Sequence, residues 1–238
     1  MYGLGTLINC VGILAGGLLG FLLGRFIHSN IQTALTKVCG ISVLFIGIAG
    51  ALEGMLEVSG NQVVSRNGLL VVCCLALGTL VGELLHIEEG FTRFGQWLKV
   101  KTHNTKDPKF VDAFVSTSLT VCIGAMAIVG SIEDGISGDY TILATKAVLD
   151  MILVWVVTCA MGKGAVFSAI PVVILQGSIT LLASLLQPLM TAEALSNLST
   201  VGSILIFCVG ANIIWDCKLR VANMLPSVIF AAAAAFIL

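Results

Sequence analysis

Lys146 and Asp150 stand four residues apart inside an otherwise apolar run, Thr141–Met161. At that spacing a helix places both side chains on one face, a single turn apart. An ionisable group inside hydrocarbon costs about 2.5 kcal/mol or more, so a pair there needs a reason. One reason is structural: the two neutralise each other, with Lys146 reaching toward the head groups. The other is functional, an ion or solute path on which Asp150 takes up a proton or a cation.

Two further sets of polar residues could extend such a path. Glu133, Asp134 and Asp139 follow the preceding apolar run in Gly130-Ser-Ile-Glu-Asp-Gly-Ile-Ser-Gly-Asp139. Without a nearby cation they would give an outer vestibule a negative potential that concentrates cations, or they form a solvated acidic turn. The spacing of an EF-hand loop, with its final Glu, is missing. The second set is the amides Asn9, Gln176, Asn212 and Asn223, each within an apolar run. Pro171 and Pro226 interrupt two of those runs and release backbone carbonyls, which membrane helices tolerate where a neighbour or a wet cavity satisfies them. Each amide could equally serve a bond between helices.

Other chemistry is poorly provided for. The eight cysteines include no Cys-x-x-Cys and none at ligand spacing from His28, His86 or His103, so no metal site and no cofactor is expected. Nucleotide-binding and triad motifs are missing, and the chain is not expected to be an enzyme. The nearest approach to a hydrolytic group is Ser131 with Glu133 and Asp134.

Composition supplies the scaffold for these residues. Hydrophobic residues make up 58% and charged residues 11% of 238, and the mean hydropathy is +1.06. Too few polar groups are present to cover a water-facing surface. A net charge of −1 offers no basic face for nucleic acid. The expected class is an all-α polytopic membrane helix bundle, with the lipid bilayer as its partner. About 20 apolar residues are needed per crossing, and eight runs qualify: Tyr2–Arg25, Lys37–Leu56, Gly68–His86, Asp112–Ile132, Thr141–Met161, Ala165–Gln187, Leu195–Asp216 and Leu219–Leu238. Together they form a single integral membrane domain over 1–238. The first run lacks the basic leader of a cleaved signal and reads as a retained span.

Between the third and fourth runs, residues 88–111 form a basic segment with Phe91, Phe94, Trp97 and Leu98 at helical spacing. It is expected to lie on the membrane surface as an amphipathic helix. Basic residues also set orientation, because they favour cytoplasmic loops. Arg25, Lys37, the five between Arg93 and Lys109, Lys163, Lys218 and Arg220 all fall on one side of the eight-span scheme, ten of the 12 in the chain. That places both termini outside.

Self-similarity suggests repeats. Gly16 and Gly20 of the first run match Gly78 and Gly82 of the third, and Cys122-Ile-Gly-Ala125 matches Cys208-Val-Gly-Ala211. Runs 3–5 and 6–8 then read as inverted three-helix repeats, a construction of secondary transporters. The same Gly-x-x-x-Gly faces could pack helices or join copies of the chain into a homo-oligomer.

Several of these segments carry a family likeness. Gly3-Leu-Gly-Thr-Leu-Ile-Asn9 with Gly16-Gly-Leu-Leu-Gly20, Gly124-Ala-Met-Ala-Ile128 with Asp134-Gly135, and Lys146-Ala-Val-Leu-Asp150 resemble the YdfK/YqgA-like bacterial membrane proteins, the domain of unknown function 554 family. Phe167-Ser-Ala-Ile-Pro171 through Gln176-Gly177, and Asn223-Met-Leu-Pro226, extend the resemblance across essentially the whole chain. Ser131 and Met151 depart from the Pro and Gly usual there; if that Gly opens the helix, Met151 narrows this chain's path. The resemblance implies a multi-pass protein of the bacterial inner membrane, with both termini periplasmic in the scheme above. The expected function is a transporter or channel for a small solute or ion, its path running from Glu133, Asp134 and Asp139 past Lys146 and Asp150, flanked by Asn9, Gln176, Asn212 and Asn223. The alternative is a non-transporting scaffold that captures partners through the basic segment.

Overall fold

A computed structural model describes residues 2–24, 26, 28–59 and 62–236. Its α-helices are α1 (Leu4–Gly24), α2 (Ser29–Met55), α3 (Gly68–Leu85), α4 (Ile87–Lys101), α5 (Phe110–Cys122), α6 (Ala125–Ile136), α7 (Thr141–Met161), α8 (Ala169–Leu181), α9 (Ala183–Leu186), α10 (Ala192–Trp215) and α11 (Pro226–Ala234). Short 3-10 turns, Lys163–Ser168 and Val221–Met224, lead into α8 and α11. The protein is all-α in its membrane part. One antiparallel hairpin, β1 (Leu56–Ser59) with β2 (Gln62–Ser65), follows α2 in the register Leu56↔Ser65; its Val58, Val63 and Val64 are exposed β-branched residues.

Among the described residues six helices are long and apolar enough to cross a bilayer, one of them the 3-10 turn Lys163–Ser168 together with α8, or seven when α5 and α6 count as one bent span. The expected eight crossings exceed that number. The described part of the last run gives one shorter apolar helix, Val221–Ala234, in which the 3-10 turn leads into α11 with Pro226 at its start, short of the about 20 residues a crossing needs. The fourth run is also not one rod. It bends by 61° between α5 and α6, where Gly124 takes φ +144, a conformation a side chain resists.

The chain forms two compact units. The first holds Met1–Cys39, Phe91–Cys122 and Met126–Gln187; the second holds Gly40–Gly90, Ile123–Ala125 and Pro188–Leu238. In the first, α1 runs parallel to α7. The contacts advance together along both helices, Gly5 on Leu143, Gly12 on Ala147, Gly16 on Met151 and Gly20 on Thr158. A Cβ at Gly12 would sit 2.8 Å from the Ala147 carbonyl oxygen, and one at Gly16 would collide with that of Met151. Only glycine permits backbones this close. In the second unit, Gly47, Gly50 and Gly54 of α2 meet Phe207, Ser203 and Thr200 of α10, an antiparallel pair. There Gly78 and Gly82 of α3 press on Ser227 and Asn223. The Gly-x-x-x-Gly faces of α1 and α3 are thus occupied inside their own units.

Helix α4 carries Glu88 and Glu89 in its first turn and Lys99 and Lys101 in its last, each favourable to the helix dipole. In the first unit its Leu98 packs into a cluster with Phe110 and Phe114, joined by Phe91 and Phe167. Trp97, stacked on Phe94 at 5.8 Å, stays exposed.

Gly16→Ala should lower the melting temperature of the detergent-solubilised protein, by the ~1–3 kcal/mol typical of overpacking. Gly177→Ala, where nothing lies within 4 Å of the added carbon, should leave it unchanged or raise it. Equal behaviour of the two variants in a thermal melt would show that the α1–α7 backbone contact is not made.

Candidate functional site

The inward stripe of α7 reads Leu143, Lys146, Ala147, Asp150, Val154, Val157 and Thr158, so helical spacing places both ionisable groups in the interior of the first unit. Lys146 Nζ donates to Asp150 Oδ1 at 2.7 Å and to Oδ2 at 2.6 Å. Their side chains are 9% and 8% exposed. Lys146 therefore turns to its partner, and does not reach for the surface.

Three other helices bring groups to this pair. Asn9 of α1 lies within hydrogen-bonding reach of Asp150, and its Nδ2 donates to Gln176 Oε1 of α8 at 3.3 Å. Cys122 of α5 is near enough to feel both charges. Asn9 Oδ1 and Gln176 Nε2 find no hydrogen-bond partner among the described residues, although both side chains are buried. The hydroxyls of Thr6, Thr117, Ser118 and Thr158 in the same unit are buried and unpartnered in the same sense. A buried polar atom without a partner loses the bonds it had in water, about 1–3 kcal/mol each. Each such atom in a folded interior calls for an explanation.

The acidic residues divide. Asp134 lies in α6, fully buried, not on an exposed loop. Its Oδ2 accepts from Gly5 N at 3.0 Å, in the first turn of α1, where unpaired N–H groups and the helix dipole both favour a carboxylate. Asp139 is exposed and sits just before α7. Its Oδ1 accepts from Thr141 Oγ1 at 2.6 Å and from Thr141 N at 2.9 Å. Those two donors, the hydroxyl first, hold the Asp139 carboxyl below the usual carboxylate range. Glu133 is half-buried in α6. The cluster expected to act as one vestibule therefore includes two helix caps.

The amides divide as well. Asn9 and Gln176 meet at the charged pair, whereas Asn212 and Asn223 belong to the second unit. Asn212 clamps the turn after α10, its Nδ2 donating to Leu219 O and its Oδ1 accepting from Leu219 N. Asn223 Oδ1 accepts from Glu88 N at 2.7 Å, while Glu88 Oε2 accepts from Ala222 N at 2.8 Å. Burial pushes the Glu88 carboxyl above its ordinary value, against the opposing Ala222 N–H. Arg220 pairs with Glu83 at 2.9 Å beside them. These two asparagines fasten turns, the structural alternative for an amide in an apolar run. Nothing in the spacing marked Thr6, Thr117, Ser118 or Thr158 as buried polar groups of the first unit, since isolated small polar residues are common in membrane helices.

A family model described as "Protein of unknown function (DUF554)" matches residues 4–236. Among curated proteins the chain is similar to the uncharacterized protein YqgA of Escherichia coli (strain K12), 29% identical over 232 residues that cover 96% of this chain and 94% of that protein. It is also similar to the uncharacterized membrane protein YdfK of Bacillus subtilis (strain 168), 26% identical over 234 residues covering 98% and 96%. No solved structure matches.

Two measurements test this geometry. Lys146→Met and Asp150→Leu should each destabilise the protein by the ~3–5 kcal/mol of a broken buried pair, while the double variant recovers most of that loss; additive losses would exclude the bridge. At the other site, stability from Asp139 is present above the ordinary carboxylate pKa and is lost as pH falls through its lowered folded value. Asp139→Ala should accordingly melt earlier than the parent at neutral pH, and the gap should close in acid.

Proposed function

The chain belongs to the DUF554 family of proteins of unknown function, and for this member we propose a transporter or channel that moves a small solute or ion past Lys146 and Asp150. The observation that carries the reading is a buried, bidentate Lys146–Asp150 bridge flanked by an open acceptor on Asn9 and an open donor on Gln176. As a device for stability alone a buried ion pair is weak, since apolar residues of similar size often serve as well. As the lining of a path, it supplies a charge that can be exposed and withdrawn.

In the proton-coupled form of this reading, Asp150 takes up a proton when the site faces one side. One carboxyl oxygen then becomes a donor, the bidentate bridge opens, and Lys146 Nζ is released toward a solute acceptor, with Asn9 and Gln176 beside it. Loss of the proton restores the bridge. Lys146 in this way neutralises Asp150 whenever the site holds no solute.

Orientation and repeats belong to the same proposal. Lys109, Lys163 and the last turn of α4 favour the cytoplasm, which puts the start of α1 and Asp139 on the periplasmic side of a bacterial inner membrane. The broken α5–α6 span suits a transporter, where discontinuous helices line substrate sites. Lys163, Val166, Ser168 and Pro171 recur in register as Lys218, Val221, Asn223 and Pro226, each set leading a proline-bearing helix. This match stands beside the glycine and cysteine matches from which inverted three-helix repeats are expected. Two contacts support the absence of catalysis: Ser131 Oγ donates to Ala127 O of its own helix at 2.6 Å, and Asp134 is engaged by Gly5.

Proteoliposomes carrying the purified protein should pass small solutes or protons down a gradient, measured by counterflow or a pH-sensitive dye. Asp150→Asn should abolish that flux while the protein stays folded. Flux that survives Asp150→Asn at the wild-type rate would remove Asp150 from the mechanism.

A further inference from the structure

Resting on the path assigned above, we infer that a layer of apolar side chains in the first unit is a gate. It separates the Lys146–Asp150 compartment from a water-filled vestibule at the end of the unit where α1 and α7 finish. A cavity of about 400 Å³ opens at that end, lined by Gly20, Phe21, Thr158, Met161, Lys109 and Lys163 among others. Lys163 Nζ sits 4.5 Å above the Phe21 ring, and Asp107 and exposed Lys109 also line the cavity. Thr158 lines the cavity, and its buried hydroxyl has no partner among the described residues.

The order of buried side chains places the gate. Along α1 it is Thr6, Asn9, then Ile13, then Gly20 at the cavity. Along α7 it is Lys146, Asp150, then Val154 and Val157, then Thr158. Along α8, read backward, Gln176 comes first and Val172 and Ala169 follow. Ile13, Val121, Val154, Val157, Ala169 and Val172 form one contiguous apolar cluster. Cys122, within electrostatic reach of the charged pair, packs against that cluster, and so does Met161, which lines the cavity. The cluster therefore has the ion pair on one side and the cavity on the other. From Asp150 to Thr158 is two turns of helix, about 12 Å, and a constriction of valine and isoleucine on that scale excludes water by dewetting. Opening it by moving α1 away from α8 would break the Asn9–Gln176 hydrogen bond and part the apolar side chains of the layer.

The test is thiol accessibility in proteoliposomes, with all other cysteines replaced and a membrane-impermeant methanethiosulfonate added on the face bearing Lys109 and Lys163. One protein keeps only Cys122; the other carries only the cysteine introduced by Met161→Cys. Met161→Cys should label quickly and Cys122 should not. Val154→Thr, or Val172→Thr should the first variant fail to fold, should speed labelling of Cys122 about tenfold or more, a barrier lowered by ~1.4 kcal/mol. Cys122 that labels as fast as Met161→Cys behind the intact layer would overturn the gate, as would Cys122 that stays protected in a threonine variant with a normal melting profile. Labelling needs no substrate, so an unchanged pattern together with absent flux would remove the transport reading and leave the barrier standing.

Discussion

The α1–α7 contact is made between backbones, and the chemistry of the first unit depends on it. With Gly12 and Gly16 against the carbonyls of Ala147 and Met151, the two helix axes lie as close as main-chain atoms allow. That proximity carries Asn9 to Asp150, and brings the start of α1 against α6, where Asp134 receives Gly5 N–H. A larger residue at either glycine would push α1 outward. Asn9 and Asp134 would then lose their partners together, because one rigid helix carries both Asn9 and Gly5. Packing in hydrocarbon has no apolar driving force of its own, so close small-residue contact has to supply it.

The same absence of water makes the pairing of polar groups matter in both units. In the second unit Glu88, Ala222, Asn223 Oδ1, Glu83 and Arg220 bond across the junction of α3, α4 and the 3-10 turn, while Asn223 Nδ2 and Ser227 Oγ find no partner among the described residues. They secure a corner. In the first unit the charges are paired and Asn9 donates to Gln176, while Asn9 Oδ1, Gln176 Nε2 and several hydroxyls have no partner among the described residues. Satisfied networks rigidify a fold, and each polar atom left over in a low-dielectric interior is costly.

Much of this was legible in the chain, and the rest was hidden for identifiable reasons. The limits of α1, α3 and α7 follow from apolar run length, and the Lys146–Asp150 bridge follows from a spacing of four on one helix. The last apolar run looked long enough to cross because composition does not show where a helix begins and ends, here Val221 and Ala234. Asp134 looked like part of an acidic turn because its partner, a backbone N–H of a helix 129 positions away in sequence, leaves no trace in local pattern. The roles of Asn212 and Asn223 were hidden likewise. A turn clamp and a path amide have the same residue type and the same apolar neighbours, and differ only in what lies across from them.

The energetics of the bridge limit how a path through it could work. Breaking a buried pair by removing one partner costs about 3–5 kcal/mol, so an unaided solute would have to supply that much in new contacts before binding at all. Protonation of Asp150 changes the balance, because a neutral acid gives up little when the ammonium leaves. A ligand moves a conformational equilibrium only by its differential affinity for the two states. The proton can create that difference by converting Lys146 from a neutralised partner into an available cation beside Asn9 Oδ1 and Gln176 Nε2. On the proposed reading the apolar layer would hold water off one side of the pair, and Asp150 would exchange its proton with one compartment at a time, as alternating access requires of a titratable site.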